Sequence, residues 1–191
     1  PVPAETSDGF ELGAKGSVFD NLITFQAGVF HTLRNDVSLQ DPNNTPNSPA
    51  FVVSAGEVRV QGLEFSSNIS PVAGLDVTFN VGYTYVEVTE AGNDEILEPV
   101  FPDLTGSLYI NYEIQSGVLE GLSLGGGLRH MSEREGPKVP WDSQSIADLN
   151  FGYQIAENIN VSFNILNVTD EFYVENTFQN TLKKVKKSNF W

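Results

Sequence analysis

The side chains that could perform acid–base chemistry near neutral pH are few in this chain. The sequence contains two histidines, His31 and His130, and no cysteine. A protease or lipase would need a histidine beside an Asp or Ser, on a face open to substrate, to act as a general base. Both histidines instead continue the apolar, outward phase of alternating segments, next to long connections. We expect them to lie at an interface, and we expect the protein not to be an enzyme.

Acidic side chains could bind a cation, and one long connection carries six of them: Glu87, Glu90, Asp94, Glu95, Glu98 and Asp103. They could hold divalent cations or attract a cationic ligand. Their spacing fits no EF-hand or other defined metal loop, so a solvated surface loop is the simpler interpretation. The absence of cysteine excludes disulfides and thiolate metal sites. We expect no metal centre and no cofactor.

Composition excludes several kinds of partner. The formal net charge of -15 leaves no basic surface that could neutralise phosphates, so nucleic acid is not expected as a partner. The mean hydropathy is -0.17, and no apolar run reaches the roughly 18 residues that a transmembrane helix needs. A transmembrane β-barrel remains allowed, because its strands alternate apolar and polar residues and therefore do not have a high mean hydropathy.

Strict alternation is the main structural signal. In the segment from Leu75 to Tyr85, every odd position is apolar and every even position is polar or glycine. Successive side chains of a strand point to opposite faces, so this segment has one apolar face and one hydrophilic face. The apolar face ends in Tyr83 and Tyr85, residues typical of the boundary between lipid and water. The pattern predicts a strand of a transmembrane β-barrel.

Eight such strands are predicted, joined by connections that are alternately short and long. This layout is typical of outer-membrane barrels, whose short turns are periplasmic. In the third strand the apolar phase changes at Gln61–Gly62, which predicts a β-bulge at Gly62. The predicted spans are about Phe10–Ser17, Leu22–Asp36, Val52–Ile69, Leu75–Tyr85, Leu104–Ile114, Leu122–His130, Ala147–Ile155 and Ile159–Ile165.

The predicted inner face is small and polar, with Gly13, Gly28, Gly82 and Gly152 among its members. A small closed barrel is filled by larger interlocking side chains, so this face favours an arc of a wider barrel. The tail after Asn167 could supply a ninth strand. Two alternatives stay open at this point. One is a complete small outer-membrane barrel with an adhesin or structural role, and the other is a soluble β-sandwich that serves as a binding module.

Three motifs in order resemble TonB-dependent outer-membrane receptors, most closely the ferric-siderophore branch. Phe10–Gly16 is similar to their "YE-x-G-x-K" strand, and Ala55–Phe65 resembles "AGE-x-R-x-x-G-x-E". Asn164–Tyr173 resembles "N-x-x-N-L-F-D-x-x-Y" near their C-terminus. The positions of this sequence that carry the second and third motifs are Gly56, Glu57, Arg59, Gly62, Glu64, Asn164, Asn167, Asp170 and Tyr173.

The resemblance implies a 22-stranded all-β, antiparallel barrel in the bacterial outer membrane, with an N-terminal plug. It implies import of iron chelates or cobalamin on energy from the TonB system. Residues 1–191 would be the C-terminal part of that barrel, with the plug absent. The implied partners are a ferric siderophore or related ligand, outer-membrane lipid and lipopolysaccharide, and TonB through the missing part. The identity of the ligand is not predicted.

Individual residues receive structural or ligand-contact roles. Gly62 would permit the bulge, Glu64 would face the polar lumen, and Asn167 with Asp170 would cap the turn after the eighth strand. Phe101 and Trp141 lie on long loops beside prolines and could stack on a siderophore, although such aromatics are also interface anchors.

The tail departs from the family pattern. Trp191 fits a terminal aromatic, but the lysines between Leu182 and Phe190 would put at least two charges into lipid on either phase. Each would cost about 2–4 kcal/mol near the midplane. We do not expect this tail to form a normal closing strand.

Overall fold

The computed structural model describes residues 4–40, 52–54, 56–90, 101–134, 142–156, 158–178, 181–185 and 189–190. Nine strands form one antiparallel sheet in the order β1–β2–β5–β6–β7–β8–β9–β10–β13. The prediction of an all-β, antiparallel fold with eight or nine strands is confirmed. The bounds are β1 Thr6–Val18, β2 Ile23–Asn35, β3 Ser38–Gln40, β4 Val52–Ser54, β5 Glu57–Val72, β6 Leu75–Glu90, β7 Leu104–Glu113, β8 Leu122–Met131, β9 Gln144–Ala156, β10 Ile159–Leu166, β11 Tyr173–Phe178, β12 Thr181–Val185 and β13 Asn189–Phe190.

The third predicted strand is in fact two separate strands. Val52–Ser54 is β4, which pairs with β3 rather than with the main sheet. The main-sheet strand β5 begins at Glu57, directly after Gly56. Gly56 adopts a φ of +78°, a left-handed conformation that glycine accepts without steric cost. This glycine separates the short hairpin from the barrel strand.

The predicted bulge at Gly62 is wrong. The pairing of β5 with β2 runs unbroken from Glu57 to Ile69. The irregularities against β6 fall at the two ends of β5, between Glu57 and Val58 and between Ile69 and Val72. Pro71 lies in the second of these, where its missing N–H is tolerated.

The apparent change of phase in β5 has another cause. Val58 and Val60 lie on the inner face, with Gly62 and Glu64, because the strand alternates regularly. Val58 is buried together with Val37, and Val60, Val86 and Val88 pack against them. The inner face therefore becomes apolar towards the long connections.

The turns of successive hairpins are displaced along the strand direction by a constant number of residues. The β1–β2 hairpin closes at Val18 and Ile23, in the same cross-strand row as Val77 of β6. The β5–β6 hairpin runs two residues further, to Leu75, and the β7–β8 hairpin two further again. With about 3.3 Å per residue and about 4.8 Å between strands, one residue of stagger per strand gives a tilt of about 35° if the turns lie level. Outer-membrane barrels have this tilt.

The apolar face of the sheet is uncovered within the part of the chain that the structure describes. Leu12, Val29, Leu63, Leu108 and Phe151 are all exposed, and all belong to the outward phase. A β-sandwich would bury such side chains against a second sheet. The few buried apolar side chains, such as Val58 and Ile146, lie instead on the inner face.

The connections follow the predicted alternation of short and long, with one shift of boundary. The long connection after β6 begins beyond Glu90, so Glu87 and Glu90 belong to the strand and not to the loop. Asp94, Glu95 and Glu98 lie outside the described residues. Among the described residues, no helix is long and apolar enough to cross a membrane.

The tail supplies the ninth strand in an abbreviated form. Among the described residues, strand β13 pairs with β10 through Phe190 and Asn189. The lysine-bearing β12 pairs with β11 in a separate two-stranded sheet, and so is not a member of the main sheet. Trp191 lies outside the described residues.

Candidate functional site: the inner wall

The inner wall of the sheet is a mainly polar surface built by alternation, and it becomes apolar near the long connections. The side chains that share this face with Gly28 and Gly82 come from every second position of strands β1, β2 and β5 to β10. Part of this wall forms a groove of about 490 Å³ between β2 and β8. Its polar lining includes Gln26, Glu64, Ser66, Asn80, Ser107 and Arg129.

Hydrogen bonds between neighbouring strands hold these polar side chains in place. Thr78 donates its hydroxyl to Asn68 Oδ1 at 2.9 Å, and Asn80 Nδ2 donates to Ser107 Oγ at 3.1 Å. Because each pair joins two strands, the side chains present fixed donors and acceptors to the lumen. A preorganised polar wall loses little conformational entropy when it binds a partner.

Tyr109 is the largest inward side chain of β7, and it lies across the glycines of β8. Its hydroxyl donates to Asn150 Oδ1 on β9 at 2.8 Å. A Cβ at Gly125 would lie only 2.9 Å from the Tyr109 hydroxyl, and a Cβ at Gly127 would lie 3.3 Å from the ring. The glycines of β8 therefore make room for a side chain that links β7 to β9.

Asp148 is the charged centre of the wall. Its Oδ2 accepts a hydrogen bond from Arg129 Nη2 at 3.0 Å, and its Oδ1 accepts the backbone N–H of Asn167 at 2.8 Å. The Asp148 side chain is 23% exposed, whereas that of Arg129 is 56% exposed. Arg129 thus offers a half-exposed positive group to the lumen while its partner stays largely covered.

Glu64 faces the lumen as predicted, in a row with Gly28 and Gly82. A Cβ placed at Gly28 would lie 3.5 Å from Glu64 Oε1 and 3.9 Å from Glu11 Oε1. Two carboxylates from β1 and β5 therefore lean over the same glycine of β2. This part of the inner wall is negative, whereas Arg129 lies at the other end of the groove.

Gly62 is required for close packing rather than for a bulge. A Cβ there would lie 2.2 Å from the carbonyl oxygen of Tyr83 and 2.7 Å from Cζ of Phe30. Phe30 is the inward residue of β2 opposite Gly62. The absence of a side chain at Gly62 therefore leaves room for this ring.

The other residues of the second motif lie at the loop end of β5. The Gly56 carbonyl accepts the Asp36 N–H at 2.8 Å, and the Thr89 hydroxyl donates to the carboxylate of Glu57. Arg59 belongs to the outward phase, where its Nη1 lies 3.3 Å from Glu87 Oε2. These residues secure the end of the strand.

The third motif forms a capped turn after β10. Asn167 is 2% exposed, its Oδ1 accepts the Glu171 N–H at 2.9 Å, and its Nδ2 donates to the Glu171 carbonyl at 2.8 Å. Asp170 contributes through its backbone, with its N–H donating to the Asn167 carbonyl at 2.9 Å. The geometry is that of the predicted cap for Asn167. Asn164 lies on the inner wall opposite Asn150, and Tyr173 begins β11.

The structure describes only one of the two residues that were predicted to contact a ligand. Phe101 is 61% exposed and precedes β7. Trp141 lies outside the described residues. Contact of either residue with a ligand therefore stays a prediction.

Both histidines lie on the outward face, as predicted. His31 stacks on Phe10 with 5.4 Å between ring centroids, and its Nδ1 is 3.3 Å from Gln61 Oε1. His130 Nδ1 lies 2.8 Å from Ser145 Oγ, but both residues share the outward phase of Leu128. Neither histidine is placed to act on a ligand in the lumen.

Within the described residues, no three His, Cys, Asp or Glu side chains are grouped so that they could hold a metal ion.

Arg134, just beyond β8, is partly buried, and desolvation lowers the pKa of its guanidinium. An arginine remains protonated at neutral pH in spite of such a shift. The Arg134 guanidinium therefore keeps its positive charge across the physiological range.

Asp148 and Tyr109 are the inner-wall residues that the sequence did not single out. Each is one inward position in an alternating strand, and its partners lie 19 and 41 residues away along the chain. Only the register between strands brings these pairs together. The nearest signal in the sequence was the run Gly125–Gly127, which leaves space for a large neighbour.

The staggered antiparallel sheet, the outward apolar face and the polar inner wall define the class of an integral outer-membrane β-barrel. The chain belongs to the family described as "TonB dependent receptor-like, beta-barrel", whose profile matches residues 2–168. The resemblance drawn from the three motifs is therefore confirmed. Members of this family are receptors and transporters rather than enzymes, so the expectation of no enzymatic activity is also confirmed.

Curated relatives match along most of the chain. It is 28% identical over 186 residues to the metal-pseudopaline receptor CntO of Pseudomonas aeruginosa, covering 92% of the chain and 25% of the relative. It is 26% identical to the ferrichrome outer membrane transporter/phage receptor of Escherichia coli, covering 88% of the chain and 23% of the relative. The chain thus spans about a quarter of the length of these curated relatives.

Solved structures show the same fold. The pyoverdine outer membrane receptor FpvA of Pseudomonas aeruginosa, bound to pyoverdine, superposes with a TM-score of 0.78 at 20% identity, over 97% of this chain and 29% of that one. The ferric preacinetobactin receptor BauA of Acinetobacter baumannii gives a TM-score of 0.74 at 23% identity, over 96% and 28%. The open sheet described above therefore has the fold of one arc of these wider barrels.

Proposed function

We propose that this chain is the C-terminal part of the barrel of a receptor that takes up a ferric siderophore or a related metal chelate on energy from the TonB system. The observation that carries the proposal is the inner wall, a fixed polar surface with few large side chains. Such a wall suits a wide lumen that admits a bulky hydrophilic ligand. The placement at the C-terminal end of the barrel is supported by the order of the three motifs.

The chemistry of the relatives supports the class of ligand. Their names specify metal-pseudopaline, ferripyoverdine and ferrichrome, all of them metal chelates. The inner wall offers Arg129 at one end of its groove and Glu64 at the other. Charges of both signs would orient a polar chelate in the lumen by electrostatic complementarity. Outer-membrane lipid and lipopolysaccharide are proposed to contact the outward face.

The test is uptake of labelled chelates by the intact bacterium. The gene that encodes this chain is deleted, and uptake of a panel of radiolabelled ferric siderophores is measured, together with metallophores loaded with other metals. We expect loss of uptake for one ligand class and recovery when the gene is restored. Deletion of the TonB gene should abolish the same uptake. Unchanged uptake of every chelate in the deletion strain would refute the proposal.

A further inference from the structure

The short turns of this barrel carry exposed apolar side chains. In the β7–β8 connection, Val118 is 96% exposed and Leu119 is 54% exposed. Phe19, in the β1–β2 turn, is 71% exposed, and Ile155 and Ile159 on either side of the β9–β10 turn are exposed as well. Isolated exposed apolar residues are ordinary on a protein surface. Their recurrence along one rim of a membrane barrel requires an explanation.

The β7–β8 connection does not need these side chains to fold. The Gly121 N–H donates to the Ile114 carbonyl at 2.9 Å, and the Glu120 N–H donates to the Gly117 carbonyl at 3.2 Å. Gly117 and Gly121 have φ of +93° and +81°, conformations that glycine adopts freely. The backbone therefore fixes the turn, and the side chain of Val118 projects from it without packing.

The height of the apolar outward face of β7 indicates that this turn lies beside the lipid headgroups. The outward residues of β7 are apolar or glycine from Leu104 to Tyr112. At about 3.3 Å per residue and a tilt of about 35°, this run spans about 22 Å. The band of an outer-membrane barrel is about 25 Å tall. The hydrocarbon region would thus end just beyond Tyr112, and the turn lies in the adjoining headgroup layer.

We propose that the turn Gly117–Glu120 inserts Val118 and Leu119 into the boundary between headgroups and acyl chains of the periplasmic leaflet. The occupant of this surface is phospholipid. The turn continues the lipid-facing surface, because Tyr112, near the end of β7, and Leu122, at the start of β8, both belong to the outward phase. The turn would act as an anchor that sets the depth of the barrel in the membrane. This inference depends on the barrel and not on the ligand.

The test measures the surroundings of position 118 in the full-length receptor in vesicles of phosphatidylethanolamine and phosphatidylglycerol. This chain has no cysteine, so V118C can be labelled with an environment-sensitive fluorophore once any cysteines elsewhere in the protein are replaced. The matched control is E133C, an exposed position beyond β8 on the side of the long connections. Iodide is supplied on both sides of the membrane, and nitroxide lipids report contact with the headgroup boundary.

We expect iodide to quench the label at position 118 about threefold less than the label at position 133, and nitroxide lipid to quench it strongly. Equal iodide quenching at the two positions would overturn the proposal. Protection from iodide without quenching by nitroxide lipid would also overturn it, because a protein segment would then cover the turn. L119C provides a second labelled position, with the same expectations, if V118C does not fold.

Discussion

The carboxylate of Asp148 accepts the backbone N–H of Asn167 at 2.8 Å, and this bond ties the inner wall of β9 to the turn that follows β10. Asp148 also pairs with Arg129 of β8, so one side chain connects two strands and a turn. The backbone supports the same junction, since the Val168 N–H donates to the Ala147 carbonyl at 2.8 Å. Asp148 therefore holds β8, β9 and the turn after β10 together.

Replacing Asp148 by Asn should destabilise the barrel. The Asn side chain can still accept the Asn167 N–H, but it loses the charge that strengthens this bond and attracts Arg129. Because Arg129 is half-exposed, solvent screens the ion pair, and we expect a loss of about 1–2 kcal/mol in all. Urea unfolding of the full-length receptor in bilayers measures the loss. Asp142→Asn, at an exposed position before β9, is the matched control and should leave the midpoint unchanged.

Replacing Gly62 by Ala should impair folding. The new methyl group would collide with the Tyr83 carbonyl and the Phe30 ring, and the backbone atom cannot move away cheaply. We expect a cost of about 1–3 kcal/mol and a lower yield of folded barrel in heat-modifiability gels. The control is Gly106→Ala, where the nearest neighbour, the Asn80 carbonyl, would lie 3.5 Å away. A normal yield for Gly62→Ala would contradict the packing role.

Two substitutions at Asn167 should separate its conformational role from its capping role. Asn167 has a φ of +53° and makes two side-chain hydrogen bonds to Glu171. Asn167→Gly loses the bonds but keeps the left-handed conformation, whereas Asn167→Ala loses both. We expect Asn167→Ala to be less stable than Asn167→Gly by about 1 kcal/mol in chemical unfolding. Equal stability of the two variants would show that the conformation costs little here.

Removal of the Tyr109 hydroxyl should speed hydrogen exchange at the amides of β8 and β9, because the side-chain bond between β7 and β9 is lost. Tyr109→Phe retains the ring over the glycines of β8 but removes the bond to Asn150, at a cost of about 0.5–1.5 kcal/mol. Tyr112→Phe, on the lipid side of the same strand, is the control. Hydrogen exchange at the amides of β8 and β9 reports the effect. Faster exchange in Tyr112→Phe than in Tyr109→Phe would contradict the assignment of Tyr109 to the inner wall.

Removal of both histidines should leave uptake unchanged. His31 and His130 lie on the outward face, where they contact Phe10, Gln61 and Ser145. The double variant His31→Gln, His130→Gln should transport the ligand of the wild-type receptor at the wild-type rate, because neither side chain faces the lumen. A loss of uptake without a loss of folded receptor would assign a histidine to transport.

Outside the segment 52–61, the sequence was sufficient to predict the strands β1 to β10 of the main sheet, their inward and outward faces and the alternation of the connections. These features depend on a period of two and on turn residues, both of which are local properties. It misplaced the irregularity of β5, because Val58 and Val60 are apolar on the inner face, where the simple pattern assigns polar residues. A local pattern cannot distinguish a bulge from an apolar patch on the wrong face.

The inner wall could be predicted only in part. Glu64 was assigned to the lumen from its phase, and Asn167 to a cap from its position after the strand. The bond between Asp148 and Asn167 depends on the register of β9 and β10, which no single segment encodes. The packing of Phe30 on Gly62 likewise joins residues on two strands that pair across the long connection.

The central claim is that this chain is an arc of a wide outer-membrane barrel with one face in lipid and the other in a wet lumen. Spin labels placed one at a time at positions 75 to 85 of β6, in the full-length receptor in bilayers, test it most directly. Accessibility to oxygen should peak at odd positions such as Phe79 and Val81, and accessibility to a water-soluble nickel chelate at even positions such as Asn80 and Gly82. Profiles without a two-residue period, or with oxygen favouring the even positions, would contradict the account.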